Sequence, residues 1–127
     1  MGWQLTKTIR FTAAHSLPGH PKCAVPHGHD YRATISASTE VLGDGCMVVD
    51  FHFFNTLREE LDHANLNDLD EMPTVEWLCC WIANRVWKAA PHLIGIRVEV
   101  EEGFESVVHY STTTAELRTN EVKATMR

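Results

Sequence analysis

Two alternating segments joined by a loop constrain the fold of this chain more than any other feature. In residues 5–15 the apolar residues Leu5, Ile9, Phe11 and Ala13 share the parity of His15, and in residues 27–37 a similar alternation begins with His27 and His29. A period of two is typical of β-strands, in which residues two apart point to the same face of a sheet. If the two strands are neighbours, the three imidazoles can meet at one point.

Three neutral imidazoles that meet suit Zn²⁺, which takes nitrogen ligands at tetrahedral sites. No fourth residue is linked by spacing to His15, His27 and His29, so the fourth position is predicted to be open, as in catalytic zinc sites. The alternative is three core histidines, which is disfavoured because burying imidazoles without partners is costly. Cys23 lies in the loop, four residues before His27. Its thiol would be reactive near a metal and a lysine, although a lone cysteine is more often a small buried residue.

Composition narrows the range of functions. The chain has 127 residues and a formal net charge of −6, which fits one domain and disfavours non-specific nucleic-acid binding, because that requires a basic surface. The N-terminal segment alternates apolar and polar residues, unlike a signal peptide or a membrane span. The four cysteines show no zinc-ribbon spacing. We therefore expect a cytoplasmic protein with reduced thiols and no membrane partner.

The predicted order of elements is strand, strand, helix, helix, strand, strand. Asp50 is a suitable N-cap for the first helix, and Pro73-Thr74 opens the second, which ends before Pro91. This order indicates an α+β domain over residues 1–111, with a four-stranded antiparallel sheet and both helices on one face. The functional residues are expected on the other face. Residues 112–127 are polar and lack periodicity, and we expect a tail there.

Several acidic side chains occupy informative positions. Glu102 has the parity of the apolar residues in its strand, so its carboxylate is predicted to point inward; the alternative is a strand that ends at Val100 and a solvated carboxylate. Asp62 and His63 are adjacent where the first helix should end, and they could pair only if the helix breaks there. The alternative for His63 is an interaction with the dipole at the C-terminal end of the first helix. Glu76 lies in the first turn of the second helix, where the dipole favours an acid equally well without any functional role.

Six short motifs resemble one protein family. In chain order they are F-x-A-A-H, C-x-x-x-H-G-H, V-V-D-F, L-D-H-x-x-L-N-D, P-T-x-E, and V-x-E followed eight residues later by tyrosine. Over residues 11–110 the chain is similar to the 6-pyruvoyl-tetrahydropterin synthase / 6-carboxytetrahydropterin synthase family. The resemblance implies a tunnelling fold (T-fold), in which three subunits join their sheets into a barrel, two trimers stack, and active sites lie between subunits.

The resemblance also implies a role for each candidate residue. The zinc ligands would be His15, His27 and His29. The residues that transfer protons or anchor the pterin would be Cys23, Asp62, His63 and Glu102. Further substrate contacts would come from Thr74 and Glu76, with Lys22, His20 and Arg32 as candidates for the phosphates. Trp77 and Gly103 depart from the family pattern, which usually has asparagine and threonine there, and this leaves the details of substrate binding open.

The activity implied by the resemblance is that of a zinc-dependent lyase acting on 7,8-dihydroneopterin triphosphate. The first hypothesis is a 6-carboxytetrahydropterin synthase, which releases acetaldehyde and triphosphate on a route to queuosine or other 7-deazapurines. One alternative is 6-pyruvoyl-tetrahydropterin synthase activity, in which triphosphate is eliminated and the side chain is kept. Another is a non-catalytic zinc- or pterin-binding protein of the same fold. The joint presence of Cys23, Asp62, His63 and Glu102 favours an enzyme, because a binding protein needs no proton-transfer groups.

Overall fold

The computed structural model describes residues 2–125, and the side chains of residues 2–119. Its elements are β1 (Trp3–His15), β2 (His27–Thr39), α1 (Phe51–Leu61), β3 (Ala64–Asn65), α2 (Val75–Ala89), β4 (Gly95–Glu102), β5 (Ser106–Thr113) and α3 (Thr114–Thr125). Short 3₁₀ turns lie at Asp44–Cys46 and Leu66–Asp68. No helix in the described part of the chain has the length and apolar character needed to cross a membrane.

The described strands form one sheet in the order β3-β1-β2-β4-β5. The four long strands are antiparallel, and β3 pairs in parallel with β1. The register places Phe11 opposite Tyr31 and Ile35 opposite Val98, so the apolar residues of neighbouring strands share one face. The four predicted strands are confirmed, and the structure adds a two-residue strand at the edge of β1.

Helices α1 and α2 pack against the apolar face of this sheet. Helix α1 begins after Asp50, whose carboxylate accepts a hydrogen bond from the backbone N–H of His52 at 2.9 Å, and its buried residues are Phe54, Leu57 and Leu61. Helix α2 begins after Thr74 and buries Leu78, Cys79, Ile82, Ala83, Val86 and Trp87. These side chains form one core with the apolar residues of β1, β2 and β4, and their burial is the main source of stability.

The histidines and Glu102 lie at one end of the helix-covered face, so the expectation that they occupy the other face is wrong. Strand parity decides the point, because His15 alternates with the buried residues Phe11 and Ala13 of β1. The uncovered face carries polar side chains, among which the exposed ones include Thr6, Thr8, Arg10, Thr12, Asp30 and Arg32. An antiparallel sheet can keep such a face in water.

The segment expected to be a polar tail continues the regular structure. Strand β5 runs to Thr113, and α3 follows. The backbone N–H of Glu116 donates to Thr113 Oγ1 at 3.1 Å, and the N–H of Thr113 donates to the Glu116 carboxylate at 3.4 Å, which is a capping box. Leu117 is buried in the core. The prediction of an aperiodic tail is therefore wrong up to residue 125, and residues 126–127 lie outside the described part of the chain.

Candidate active site

The three histidines converge at the end of the β1–β2 pair. His15 and His27 are opposite each other in the register, and His29 lies two residues further along β2. One ligand nitrogen from each ring lies within 4.8 Å of the others, and the ring centroids are 4.7, 4.8 and 5.1 Å apart. Cross-strand partners and residues two apart share one side of the sheet. The two strands of a single chain therefore bring all three rings together.

Backbone carbonyls orient two of these rings. The Nδ1 of His15 lies 2.8 Å from the carbonyl oxygen of Pro73, and the Nδ1 of His27 lies 2.8 Å from that of Val25. Because a carbonyl oxygen only accepts, each Nδ1 carries a hydrogen, and each neutral ring keeps a lone pair on Nε2. Metal-binding histidines are commonly oriented in this way by a hydrogen bond from the second nitrogen. The donor set therefore fits a zinc ion.

Glu102 lies beside the cluster on β4 and points inward. Its Oε1 is 3.4 Å from Nε2 of His29, and the hydroxyl of Tyr31 donates to its Oε2 at 3.4 Å. Burial lowers the pKa of His29; Glu102 opposes this shift, and the other two histidines add to it. Burial, followed by the charge of Glu102, raises the pKa of Tyr31 above its usual range. The phenol therefore stays protonated and serves as a donor to the carboxylate.

Asp62 and His63 lie where α1 ends, and the backbone leaves the helical conformation there, as a direct pair between the two side chains requires. His63 has a φ of 62°, in the left-handed region, and its backbone N–H donates to the carbonyl oxygen of Thr12 at 2.6 Å. Asp62 Oδ1 accepts from the N–H of Thr12 at 2.9 Å, and its Oδ2 lies 3.5 Å from Nε2 of His63. The His63 side chain is 84% exposed, so its imidazole is accessible to groups outside this chain.

Cys23 lies in the loop between β1 and β2 and is half-buried. Its backbone is fixed at both ends, because its carbonyl oxygen accepts from the N–H of Leu17 at 2.6 Å and its own N–H donates to Nδ1 of His20 at 3.0 Å. Within the described residues, no hydrogen bond joins its thiol to the histidine cluster or to His63. One chain thus gathers the histidines and Glu102, whereas Cys23 and the Asp62-His63 pair lie on separate segments.

The other predicted contact residues lie at the edges of the site. Thr74 caps α2, and its Oγ1 accepts from the N–H of Trp77 at 3.1 Å. Glu76 is exposed in the first turn of the same helix, a position that the helix dipole also favours. Arg32 forms an ion pair with Glu101, which holds the pKa of that carboxyl below its usual range. The Arg32 guanidinium is therefore already paired with an acid.

A pocket of about 450 Å³ adjoins Glu102 through the β4–β5 turn. It is lined by the Arg32–Glu101 pair, by Arg10 and Asp30, and by the fully exposed side chain of Phe104. Gly103 in this turn has a φ of 69°, a conformation that glycine adopts without strain. The turn geometry therefore accounts for glycine at the position where the resembled family usually has threonine.

Sequence reasoning missed two residues that support the site, Tyr31 and Asn67. Asn67 Oδ1 accepts from the N–H of Ser16 at 2.7 Å, and its Nδ2 donates to the carbonyl oxygen of Ser16 at 2.9 Å. These bonds fix the backbone directly after His15. The parity of Tyr31 with His29, and the position of Asn67 in L-D-H-x-x-L-N-D, were the available signals.

Comparisons with known proteins agree with this arrangement. The family model described as 6-pyruvoyl tetrahydropterin synthase matches residues 4–113. A 6-carboxy-5,6,7,8-tetrahydropterin synthase of Synechocystis sp. is 35% identical over 121 residues, which cover 85% of this chain and 92% of that protein. The structure of Caenorhabditis elegans 6-pyruvoyl tetrahydropterin synthase is similar with a TM-score of 0.69 at 19% identity, covering 88% of this chain and 96% of the other. The Plasmodium falciparum enzyme gives a TM-score of 0.64 at 14% identity, with 88% and 98% covered. These structures confirm the predicted T-fold.

Proposed function

The chain belongs to the 6-pyruvoyl tetrahydropterin synthase family, and from this premise we propose that it is a zinc-dependent lyase acting on a pterin. The proposed reaction converts 7,8-dihydroneopterin triphosphate to 6-carboxy-5,6,7,8-tetrahydropterin and releases acetaldehyde and triphosphate. The name of the Synechocystis relative supports this product. The observation that carries the proposal is the cluster of three histidines beside the inward carboxylate of Glu102.

His15, His27 and His29 would hold the zinc ion. Three imidazoles with a free fourth position are a donor set of catalytic zinc sites. Zinc bound there would supply Lewis acidity toward the substrate oxygens. The hydrogen bond from His15 to Pro73 and the 2% exposure of His15 support a ring that is oriented before binding.

Glu102 would anchor the pterin ring. A carboxylate can accept two parallel hydrogen bonds, which fits the amino group and a neighbouring ring N–H of a pterin. The hydroxyl of Tyr31 donates to one of its oxygens and so orients it. Thr74 and Glu76 are proposed as secondary contacts, since the cap uses the Thr74 oxygen as an acceptor and leaves its hydroxyl hydrogen free to donate.

Cys23, Asp62 and His63 would transfer protons between the substrate and the protein. Histidine and cysteine are common general acids and bases, and Asp62 lies within 3.5 Å of His63 to orient it. The exposure of His63 supports a site shared between chains. We propose trimers paired into a hexamer, in which the polar sheet faces line a barrel and one site takes Cys23 and the Asp62-His63 pair from different subunits.

The proposal includes a pathway and a compartment. The product would enter the synthesis of queuosine or another 7-deazapurine. A cytoplasmic location is supported by four cysteines that form no disulfide. The catalytic domain, predicted over residues 1–111, is proposed to extend at least to Leu117, because β5 runs to Thr113 and Leu117 is buried in the core.

The second candidate is 6-pyruvoyl-tetrahydropterin synthase activity. The description of the matching family and the names of both structural neighbours support it. The two activities share the substrate and the loss of triphosphate, and they differ in whether the carbon side chain is cleaved.

Product analysis tests the proposal. The purified, zinc-loaded protein is incubated with 7,8-dihydroneopterin triphosphate, acetaldehyde is trapped as a hydrazone, and pterins are identified by mass spectrometry. We expect 6-carboxytetrahydropterin and acetaldehyde in equal amounts, and both to form at least about a hundredfold more slowly with Cys23→Ala. A pyruvoyl product without acetaldehyde would favour the second candidate. Unchanged substrate with a zinc-loaded protein would refute both and favour a binding protein.

A further inference from the structure

The loop that carries Cys23 is closed by hydrogen bonds to a single imidazole and to one backbone amide. Nδ1 of His20 accepts from the N–H of Lys22 at 3.1 Å and from the N–H of Cys23 at 3.0 Å. The N–H of His20 donates to the carbonyl oxygen of Leu17 at 3.0 Å, and the N–H of Leu17 donates to the carbonyl oxygen of Cys23 at 2.6 Å. Both backbone polar groups of Cys23 are therefore bound inside the loop.

These partners determine which nitrogen of the neutral His20 ring carries the hydrogen. Backbone N–H groups only donate, so Nδ1 must carry its lone pair and the neutral ring holds its hydrogen on Nε2. A side-chain acceptor that bonds the next backbone amides favours a tight turn, as aspartate and asparagine do in Asx turns. Pro21 has no N–H and a fixed φ, so Lys22 and Cys23 supply the first free amides after His20.

We propose that His20 is a positioning residue that holds Cys23 in place for the reaction, and that it is not the phosphate contact expected from the sequence. This inference rests on the proposed function, because the position of Cys23 affects the rate only if its thiol transfers a proton. His20 itself is exposed, so its substitution leaves the core intact. Misplacing a catalytic group by about 1 Å can cost as much as a hundredfold in rate, which makes the loop geometry measurable.

Three substitutions of His20 distinguish the role of Nδ1 from that of Nε2. In His20→Asn the amide oxygen can take the place of Nδ1 and accept the same two bonds. In His20→Gln the amide nitrogen can take the place of Nε2 and donate to a phosphate, while no acceptor remains near the loop amides. His20→Ala removes both functions, and His52→Ala, which removes an exposed imidazole from α1, is the matched control.

The kinetic measurement is kcat and KM for 7,8-dihydroneopterin triphosphate with the zinc-loaded assembly. We expect kcat to fall about tenfold or more in His20→Ala and His20→Gln and to stay within about threefold of the parent in His20→Asn, with KM little changed in all three. A raised KM that glutamine restores and asparagine does not would overturn the proposal in favour of a phosphate contact. Parental kcat in His20→Ala would also overturn it.

Hydrogen exchange of the peptide over residues 17–23, followed by mass spectrometry, tests the loop without using turnover. Exchange should become at least about tenfold faster in His20→Ala and His20→Gln and remain slow in His20→Asn, because only asparagine keeps the acceptor. Unchanged exchange in His20→Ala would overturn the proposal. Full activity of Cys23→Ala would instead refute the proposed function, and the exchange result would still decide whether His20 holds the loop.

Discussion

The histidine cluster and the proposed proton-transfer residues differ in how the chain positions them. The histidines end two long paired strands, and hydrogen bonds to carbonyl groups orient the rings of His15 and His27. Cys23 lies in a loop, and His63 lies on a left-handed turn with a side chain that is 84% exposed. A paired sheet is more rigid than loops and turns. Metal binding should therefore be a property of one chain, whereas turnover should also depend on the loop and on assembly.

The largest effect should come from removing a histidine of the cluster. In His27→Ala or His29→Ala we expect zinc content to fall from about one ion per chain to near zero. Loss of a residue that only supports a metal ligand can lower the affinity about a hundredfold, and loss of a ligand itself should cost at least as much. Metal content after dialysis measures this. His109→Ala removes an imidazole bound to Glu99 outside the cluster and should keep its zinc. Full retention of zinc in both cluster variants would remove the basis of the assignment.

The next largest effect should separate turnover from metal binding. Cys23→Ala should keep its zinc and its oligomeric state but lose about 10²- to 10⁴-fold in kcat, the range typical of a general acid or base. The parent should also be inactivated by a thiol alkylating reagent. Cys46→Ala, which removes an exposed thiol elsewhere, should behave like the parent in both respects. Parental turnover in Cys23→Ala would contradict the proposed role.

A smaller recovery of activity should follow from mixing two inactive variants. When Cys23→Ala and His63→Ala chains are unfolded and reassembled together, about a quarter of the sites should combine an intact cysteine with an intact histidine if these come from different subunits. The measurement is kcat of the mixture relative to the parent, with each variant reassembled alone as the control. No recovery in mixed hexamers that mass spectrometry detects, or a monomer at working concentration, would contradict a shared site.

The same contrast between strands and loops explains what the sequence predicted. The period of two placed the three histidines on one face, and Asp50 and Thr74 marked the starts of α1 and α2; the structure has these features. These patterns are local and repeat along the chain. The face of the sheet was assigned wrongly because the functional residues were treated apart from the apolar residues whose parity they share.

The missed features depend on single contacts that follow no period. The left-handed conformation of His63 is fixed by hydrogen bonds to Thr12, 51 positions earlier in the chain, and the bond from Tyr31 to Glu102 spans 71 positions. Helix α3 is the exception, since its capping box over residues 113–116 was present in the sequence. How Cys23 is held also depends on side-chain contacts within its loop.

The smallest effect should come from Tyr31→Phe, which tests whether the strands orient Glu102 as they orient the histidines. The change removes only the hydroxyl that donates to Glu102 at 3.4 Å and keeps the ring that stacks on Phe11 at a centroid distance of 5.1 Å. One hydrogen bond contributes about 0.5–1.5 kcal/mol, so KM for the pterin should rise about two- to twelvefold. Zinc content and kcat should remain close to those of the parent.

A double-mutant cycle with Glu102→Gln isolates this contact. If the hydroxyl acts only by orienting the carboxylate, Tyr31→Phe should raise KM much less in the Glu102→Gln background than in the parent. Fully additive effects on KM would show that Tyr31 does not act through Glu102. A loss of zinc in Tyr31→Phe alone would show instead that this ring supports the histidine cluster, which it contacts edge-on through His29 at a centroid distance of 5.8 Å.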